Sequence, residues 1–336
     1  MYQEVAARLQ ASREVLLASH IHPDGDAIGS LVALGLGLKN HGKKVTLYNE
    51  HPVPPAYQFL SGSDLVVNEI PDLSHYDLIV VLDCSKIERL GKIAERISSL
   101  TTNPSSDLTP HPTLINIDHH CSNEYFGGFQ LVECQASATT EILYRLIKVL
   151  GCPVTKEIAY GIYTGIVTDT ASFSFSNTTP VSLKICGEMM EAGVDPSHVY
   201  HNVYITYSPE RIRFMQMVLD TFVVSKGNKV SFMMATREMI HKSGMKPENV
   251  GRIVNYAKHI ENVMVSALAL QEDDNTGCQP DEPANFHVSL RSDGAIDVSK
   301  IAVKFGGGGH HRAAGFNITA TFQKVRETIL GLAENI

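Results

Sequence analysis

Cysteines are few and widely spaced, at 84, 121, 134, 152, 186 and 278. The closest pair is 13 positions apart, which excludes a Cys-x-x-Cys zinc knuckle or redox motif. The thiols are expected to be reduced and mostly buried. Basic charge is also short: 28 Lys and Arg against 36 Asp and Glu leave a net charge of −8. That balance argues against a broad basic face for long nucleic acid, and no long duplex partner is expected. No stretch is long and apolar enough to span a membrane, so no membrane partner is expected. The opening Met-Tyr-Gln-Glu-Val-Ala-Ala-Arg lacks the basic start and apolar core of a signal peptide. The expected location is the cytoplasm. There are no internal repeats.

At 336 residues, 43% hydrophobic and 19% charged, the chain reads as a globular protein of two domains. Its first half alternates short apolar runs with helical patterns, the mark of an α/β domain with a parallel sheet and helices on both faces. Strands are predicted at 15–19, 44–48, 76–84 and 113–117. Helices are predicted at 2–12, 27–39, 137–150, 155–167 and 181–191, with Gly161 and Gly165 allowing close packing. A polar, proline-rich loop is read at 101–112. The stretch 193–220 reads as a linker, in which 193–207 is a connector and 209–219 a helix. From 221 the pattern changes to strands at 222–225, 230–235, 263–271 and 286–291, a smaller α+β domain, with an exposed turn at 272–285. The expected domains are therefore 1–192 and 221–336.

Chemistry concentrates where apolar runs stop. The first run ends in His20-Ile-His-Pro-Asp-Gly-Asp-Ala, where Pro23 and Gly25 break any regular period. Asp24 and Asp26 there could be no more than a turn and a helix cap. A calcium loop fails, because counting from Asp24 puts Ile28 and Gly35 where oxygen ligands are required. The third strand, however, ends on Asp83 and the fourth on Asp118-His119-His120, while Asp169 follows a helix. Three strands stopping on acid or imidazole point to one shared site. Asp24, Asp26, Asp83 and Asp169 with His20 and His119 form a mixed oxygen and nitrogen set. It suits Mn²⁺, Mg²⁺ or Zn²⁺ and is large enough for two ions.

The other informative stretch is Gly306, Gly307, Gly308 and Gly309 followed by His310, His311 and Arg312. An isolated glycine run is ordinarily a flexible turn. Backbone without Cβ atoms can also approach a phosphate and line an anion pocket. The run is no P-loop, since no Lys-Ser or Lys-Thr follows it. Arg291, at a strand end, is a candidate phosphate clamp.

These motifs resemble those of the DHH phosphoesterase family. The likeness runs through His20-Ile-His-Pro-Asp-Gly-Asp-Ala, Asp83-Cys, Asp118-His119-His120 and Thr168-Asp169. It continues in Gly306 to His310 with Ala313-Ala314-Gly315, which resembles the family's associated C-terminal substrate domain. Within the family the chain is most similar to the oligoribonuclease and pAp phosphatase subgroup. That implies a cytoplasmic, manganese-dependent enzyme with two Mn²⁺ ions, Mg²⁺ being an alternative. The resemblance implies that His20 and Asp24 hold one ion, that Asp26, His119 and Asp169 hold the other, and that Asp83 bridges them. His120 would face the scissile phosphate, Asp118 would support the histidines, and Arg291, the four glycines and His310 would bind substrate.

The implied reaction is two-metal hydrolysis of short RNA or DNA oligonucleotides to mononucleotides and of pAp to nucleoside monophosphate. A cleft between the domains, opened and closed by linker motion, would admit such short substrates. A homodimer is compatible with this reading. The same residues would serve a cyclic- or linear-dinucleotide phosphodiesterase. An inorganic pyrophosphatase is disfavoured by the glycine-rich terminus, and a single-strand exonuclease by the acidic charge. A nucleotide-sensing binding protein without catalysis is the alternative from another class, although every ligand position is filled.

Overall fold

A computed structural model describes residues 1–102, 112–205, 208–245, 253, 260–272 and 281–336. Most of the loop read at 101–112 and of the turn at 272–285 lies outside these. The chain divides into two compact units, Met1–Thr206 and Tyr207–Ile336.

The first unit is an α/β domain built on six parallel strands: β1 Glu14–Ser19, β2 Lys44–Tyr48, β3 Val66–Val67, β4 Leu78–Leu82, β5 Thr113–Asp118 and β6 Phe129–Val132. They lie in the order β3-β2-β1-β4-β5-β6. β4, Leu-Ile-Val-Val-Leu, is buried at every position because apolar layers cover both faces of the sheet. Val15 and Leu17 of β1 enter one core, whereas Leu16 and Ala18 enter the other. Helices α1 Tyr2–Ala11, α2 Gly25–Asn40, α4 Thr139–Val149 and α5 Lys156–Asp169 pack on the first face, and α3 Ile93–Thr102 on the second.

The sheet order decides where a ligand can go. From β1 the chain runs outward to β2 and β3, then returns to lay β4 on the opposite side of β1. The carboxyl ends of β1 and β4 thus flank a topological switch point, where the loops diverge and leave a crevice. Glycines bring α2 and α5 together over it. A Cβ on Gly29 would strike the carbonyl oxygen of Gly161, and one on Gly161 would lie 2.9 Å from the carbonyl of Gly29. The close packing expected of Gly161 is thus a backbone-to-backbone helix contact.

The stretch 193–207 is not an irregular connector. It contains α7, Pro196–Tyr204, capped by the Asp195 side chain on the Ser197 N–H, with Pro196 in the first turn. Val199 and Val203, one helical turn apart, are buried in the core of the first unit. Proline and polar residues marked a helix start here, not a loop. The preceding helix, α6, spans Pro180–Glu191, and α8 spans Pro209–Leu219 in the second unit.

The second unit is a six-stranded mixed sheet of β7 Val223–Val224, β8 Val230–Ala235, β9 Val265–Gln271, β10 Ala284–Ser292, β11 Gly308–His310 and β12 Ala313–Ala320. Its order is β11-β12-β10-β9-β8-β7, with β8 and β9 parallel and the other pairs antiparallel. β10 alternates buried and more exposed residues, and Phe286, Val288 and Leu290 enter the core. Helices α9 Arg237–Ser243, α10 Val298–Lys304 and α11 Phe322–Gly331 complete the unit among the described residues.

Candidate metal centre and active site

Strand register assembles the centre. Ser19 of β1 pairs with Leu82 of β4, so the next residues, His20 and Asp83, emerge side by side. Leu82 in turn pairs with Ile117 of β5, which places Asp118, His119 and His120 beyond Asp83 on its other side. His20 Nδ1 lies 2.8 Å from the Ile21 carbonyl, so that nitrogen carries a proton and Nε2 faces Asp83 Oδ2 at 3.4 Å. Asn49 donates from Nδ2 to the carbonyl of His20 at 2.8 Å and fixes the loop.

Asp83 is the hub. It sits just past the end of β4 at φ +54°, a left-handed conformation that costs a non-glycine residue about 1–3 kcal/mol. Its buried Oδ1 accepts from Thr139 Oγ1 at 3.2 Å, and lies 3.7 Å from His120 Nδ1 and 3.8 Å from His119 Nε2. Two ligand groups meet on it: His20, Asp24 and Asp83 offer atoms all within 4.8 Å of one another, and so do Asp83, His119 and His120.

Asp24 unites the two readings its sequence context allowed. Its Oδ1 caps α2, accepting from the N–H groups of Asp26 and Ala27 at 3.0 and 3.1 Å. A carboxylate has lone pairs beyond these two bonds, so capping and ligation are compatible. Asp26 is almost fully enclosed and ties α2 to the start of α4. Oδ2 accepts from the Thr139 N–H at 2.6 Å, and Oδ1 from the Thr140 N–H and hydroxyl at 3.0 and 2.8 Å. Gly165 of α5 leaves room for this joint, since a Cβ there would lie 2.6 Å from Asp26 Oδ1.

His119 Nδ1 faces the Ala136 carbonyl at 3.3 Å. Its Nε2 lies 3.6 Å from Asp169 Oδ2, is buried, and makes no hydrogen bond. A buried, unpaired ring nitrogen between two carboxylates fits a divalent cation, because native proteins seldom leave such a group unsatisfied. His120 Nδ1 donates to Asp118 Oδ1 at 2.7 Å. Asn123 Nδ2 donates to Asp118 Oδ2 at 2.6 Å, and Asn177 Nδ2 donates to Asp169 Oδ2 at 3.3 Å.

The electrostatics follow from packing carboxylates and imidazoles together away from water. Burial opposes charge on His20, yet the hydrogen bond and charge of Asp83 outweigh it and raise the imidazole to about 9. His119 rises to about 9 against the same penalty, through Asp169, Asp26 and Asp83. Asp83 is driven below the usual carboxylate range by His20 and its other imidazole neighbours, although burial alone would raise it. Burial and the nearby Asp83 push Asp26 well above that range. Asp169 is raised to about 6, first by burial.

In the second unit, Arg291 lies in β10, half-buried, and its only described hydrogen bond is from Nη1 to the Leu290 carbonyl at 2.9 Å. Burial lowers its pKa. The glycine run is not a flexible turn. Gly308, Gly309 and His310 form β11 against Gly315, Ala314 and Ala313. Cβ atoms on Gly307 and Gly309 would lie 2.5 Å from Phe316 Cβ and from Ala314 Cα, so these glycines serve close strand packing. Gly306 and Gly308 would meet nothing within 4 Å, which leaves their backbone open to a ligand. The His310 side chain lies outside the described residues.

The sequence reading missed Asn123, Asn177, Thr139 and Thr140. The last two lie in a small polar run, Ser137-Ala-Thr-Thr-Glu, just where a helix begins. No sequence signal marks Asn123 or Asn177.

Residues 14–166 match the DHH family, N-terminal domain, and residues 227–335 match the DHHA1 domain. The chain belongs to the DHH phosphoesterase family. Its chemistry is therefore metal-dependent hydrolysis of a phosphoester. The bifunctional oligoribonuclease and PAP phosphatase NrnA of Thermus thermophilus is 29% identical over 321 residues, 94% of this chain and 89% of that protein. Its namesake in Bacillus subtilis is 25% identical over 324 residues, 95% of this chain and 93% of that protein. An exopolyphosphatase-related protein from Bacteroides fragilis matches at TM-score 0.86 and 28% identity, covering 98% of this chain and 95% of that one. RecJ of Thermus thermophilus, solved with Mn²⁺, shares the fold at TM-score 0.54 and 14% identity, covering 100% of this chain and 55% of that one.

Proposed function

We propose that this DHH protein hydrolyses short oligonucleotides to mononucleotides, and 3′,5′-bisphosphorylated nucleosides to nucleoside monophosphates, with two bound Mn²⁺ ions. The observation that carries the reading is the buried, unpaired Nε2 of His119, set between Asp83 and Asp169 in a cluster built on three adjacent strand ends. The named activity of relatives aligned over nearly the whole chain supports the substrate class.

His20 and Asp24 would hold one ion and Asp26, His119 and Asp169 the other, with Asp83 available to either, since it belongs to both groups of ligand atoms. Asp26 accepts three hydrogen bonds, which leaves part of its capacity for a ligand. When bound, the ions supply positive charge that acidifies water and stabilises phosphoryl oxygens. The protein's own part is positioning. Asp118, itself held by Asn123, keeps His120 Nδ1 protonated and aims the other ring nitrogen outward, where it donates to a phosphoryl oxygen. Thr139 orients Asp83, and Asn177 orients Asp169. In the second unit Arg291 and Gly306–Gly309 hold the substrate's phosphate, and His310 joins them.

The test is a Mn²⁺-supplemented panel at fixed salt: 5′-phosphorylated RNAs of increasing length, pAp, cyclic dinucleotides and pyrophosphate. Highest kcat/KM on dinucleotides to short oligonucleotides, with turnover of pAp, is expected. Efficiency that climbs steadily with length would overturn the reading in favour of a long-strand exonuclease, because each added phosphate contact would be adding affinity. Preference for cyclic dinucleotides or pyrophosphate would overturn it in favour of those activities.

A further inference from the structure

Beside the metal centre stands a pair of thiols that the proposed chemistry does not use. Cys121 directly follows His120, and Cys134 lies two residues before Ala136, whose carbonyl faces His119 Nδ1 at 3.3 Å. Sheet topology brings them together although they are 13 positions apart. β5 and β6 are parallel neighbours with Asp118 paired to Val132, and the ladder continues through a 3.0 Å bond from the Glu133 N–H to the Asp118 carbonyl. Each strand then enters a tight turn. One is closed by the Asn123 N–H on the His120 carbonyl, and the other by the Ala136 N–H on the Glu133 carbonyl. Cys121 and Cys134 sit in these facing turns, with Cys121 Sγ 3.9 Å from the Cys134 carbonyl. Cys121 is exposed and Cys134 partly so, whereas Cys84, Cys152 and Cys186 are buried.

Adjacent strands run about 4.8 Å apart, within the range that a disulfide can bridge. We propose that Cys121 and Cys134 are a redox modification site: a peroxide converts them to a disulfide that reversibly lowers turnover at the neighbouring metal centre. The Cys121 sulfur, having given up its proton, attacks the peroxide and breaks the O–O bond to give a sulfenic acid, and the leaving hydroxide takes up that proton as the first water. The Cys134 sulfur then attacks the sulfenic sulfur, and the hydroxide displaced takes up the Cys134 proton as the second water. The two thiols lose two electrons, and the peroxide gains them.

The effect follows from where the bond forms. It draws the two sulfurs in to about 2.05 Å. The turn pulled is the one carrying His120 and Asn123, and its partner turn carries the carbonyl that positions His119. A shift of about 1 Å in such groups costs roughly 100-fold in rate.

The experiment uses the full-length, Mn²⁺-loaded protein with bis(p-nitrophenyl) phosphate as a general phosphodiester, its turnover measured before peroxide is added. That first rate reports on the proposed function separately. After peroxide and its removal, a non-reducing digest should yield a Cys121–Cys134 peptide. The kcat should fall by about 10- to 100-fold, recover with a phosphine reductant, and resist peroxide in Cys121→Ser and Cys134→Ser. Absence of that peptide, linkage through Cys278 instead, unchanged kcat in the linked protein, or equal inactivation of the serine variants would each overturn the proposal.

Discussion

His20 Nε2 lies 3.4 Å from Asp83 Oδ2, and both groups are buried. They meet because Ser19 and Leu82 are register partners on neighbouring parallel strands, with the first loop leaving the sheet at its switch point. A slip of one residue in this register would turn every side chain of one strand to the opposite face and part the pair. The core packing of β1 and β4 therefore also sets the geometry of the centre.

Without metal, the site makes the protein less stable as pH rises. His20 and His119 titrate near 9 in the folded protein, because neighbouring carboxylates outweigh the burial that opposes their charge. The unfolded value is about 6.5, so the stabilisation is fully present below pH ~6.5 and lost as pH rises through about 9. Asp169, raised to about 6 chiefly by burial, acts in the same sense at lower pH. The metal-free Tm should fall between about pH 5 and 9, and Mn²⁺ should raise it most at the alkaline end, where fewer protons compete for the imidazoles. A metal-free Tm that is flat or rises across this range would contradict the assignment.

Gly165→Ala should impair both packing and chemistry. Its Cβ would fall against Thr140 and 2.6 Å from Asp26 Oδ1, the carboxylate that joins α2 to α4. Overpacking of this kind costs about 1–3 kcal/mol. The expected result is a lower Tm together with weaker Mn²⁺ binding, measured by calorimetry and titration. A lower Tm with unchanged Mn²⁺ affinity would mean that Asp26 is only a structural joint.

Arg291→Ala should act on substrate alone. The guanidinium has no carboxylate partner among the described residues and bonds only to the Leu290 carbonyl. A hydrogen bond to a charged group is worth about 1.5–3 kcal/mol, so KM should rise by roughly 10- to 100-fold with kcat and Mn²⁺ content unchanged. Loss of bound Mn²⁺, or an unchanged KM, would remove Arg291 from the substrate site.

The parts legible in the sequence were those with a strong local signature. Continuous apolar runs announced strands buried on both faces, and Asp83 and Asp118-His119-His120 announced what those strands carry at their ends. Pairing was not legible, because register depends on which strands become neighbours. The fold answers this by setting His20 beside Asp83 and Cys121 beside Cys134. Thr139 and Thr140 escaped notice because they serve through backbone N–H groups and single hydroxyls, and no short motif marks such donors. The 193–207 stretch misled for a related reason: Asp195-Pro196 is both a loop-like pair and a sound helix start. The glycine run suggested freedom, whereas Gly307 and Gly309 are there because neighbouring strand atoms leave no space for a Cβ.

Asp83→Asn tests the central claim most directly, since the amide keeps the size of the side chain while removing the charge on which both ligand groups meet. The measurement is kcat on a 5′-phosphorylated dinucleotide at saturating Mn²⁺, with bound Mn²⁺ counted on the same sample. A folded variant should lose Mn²⁺ from the pair, with a fall in kcat beyond the roughly 100- to 1000-fold that loss of one catalytic hydrogen-bond donor costs. Near-normal kcat with two ions retained would contradict an Asp83-bridged metal pair.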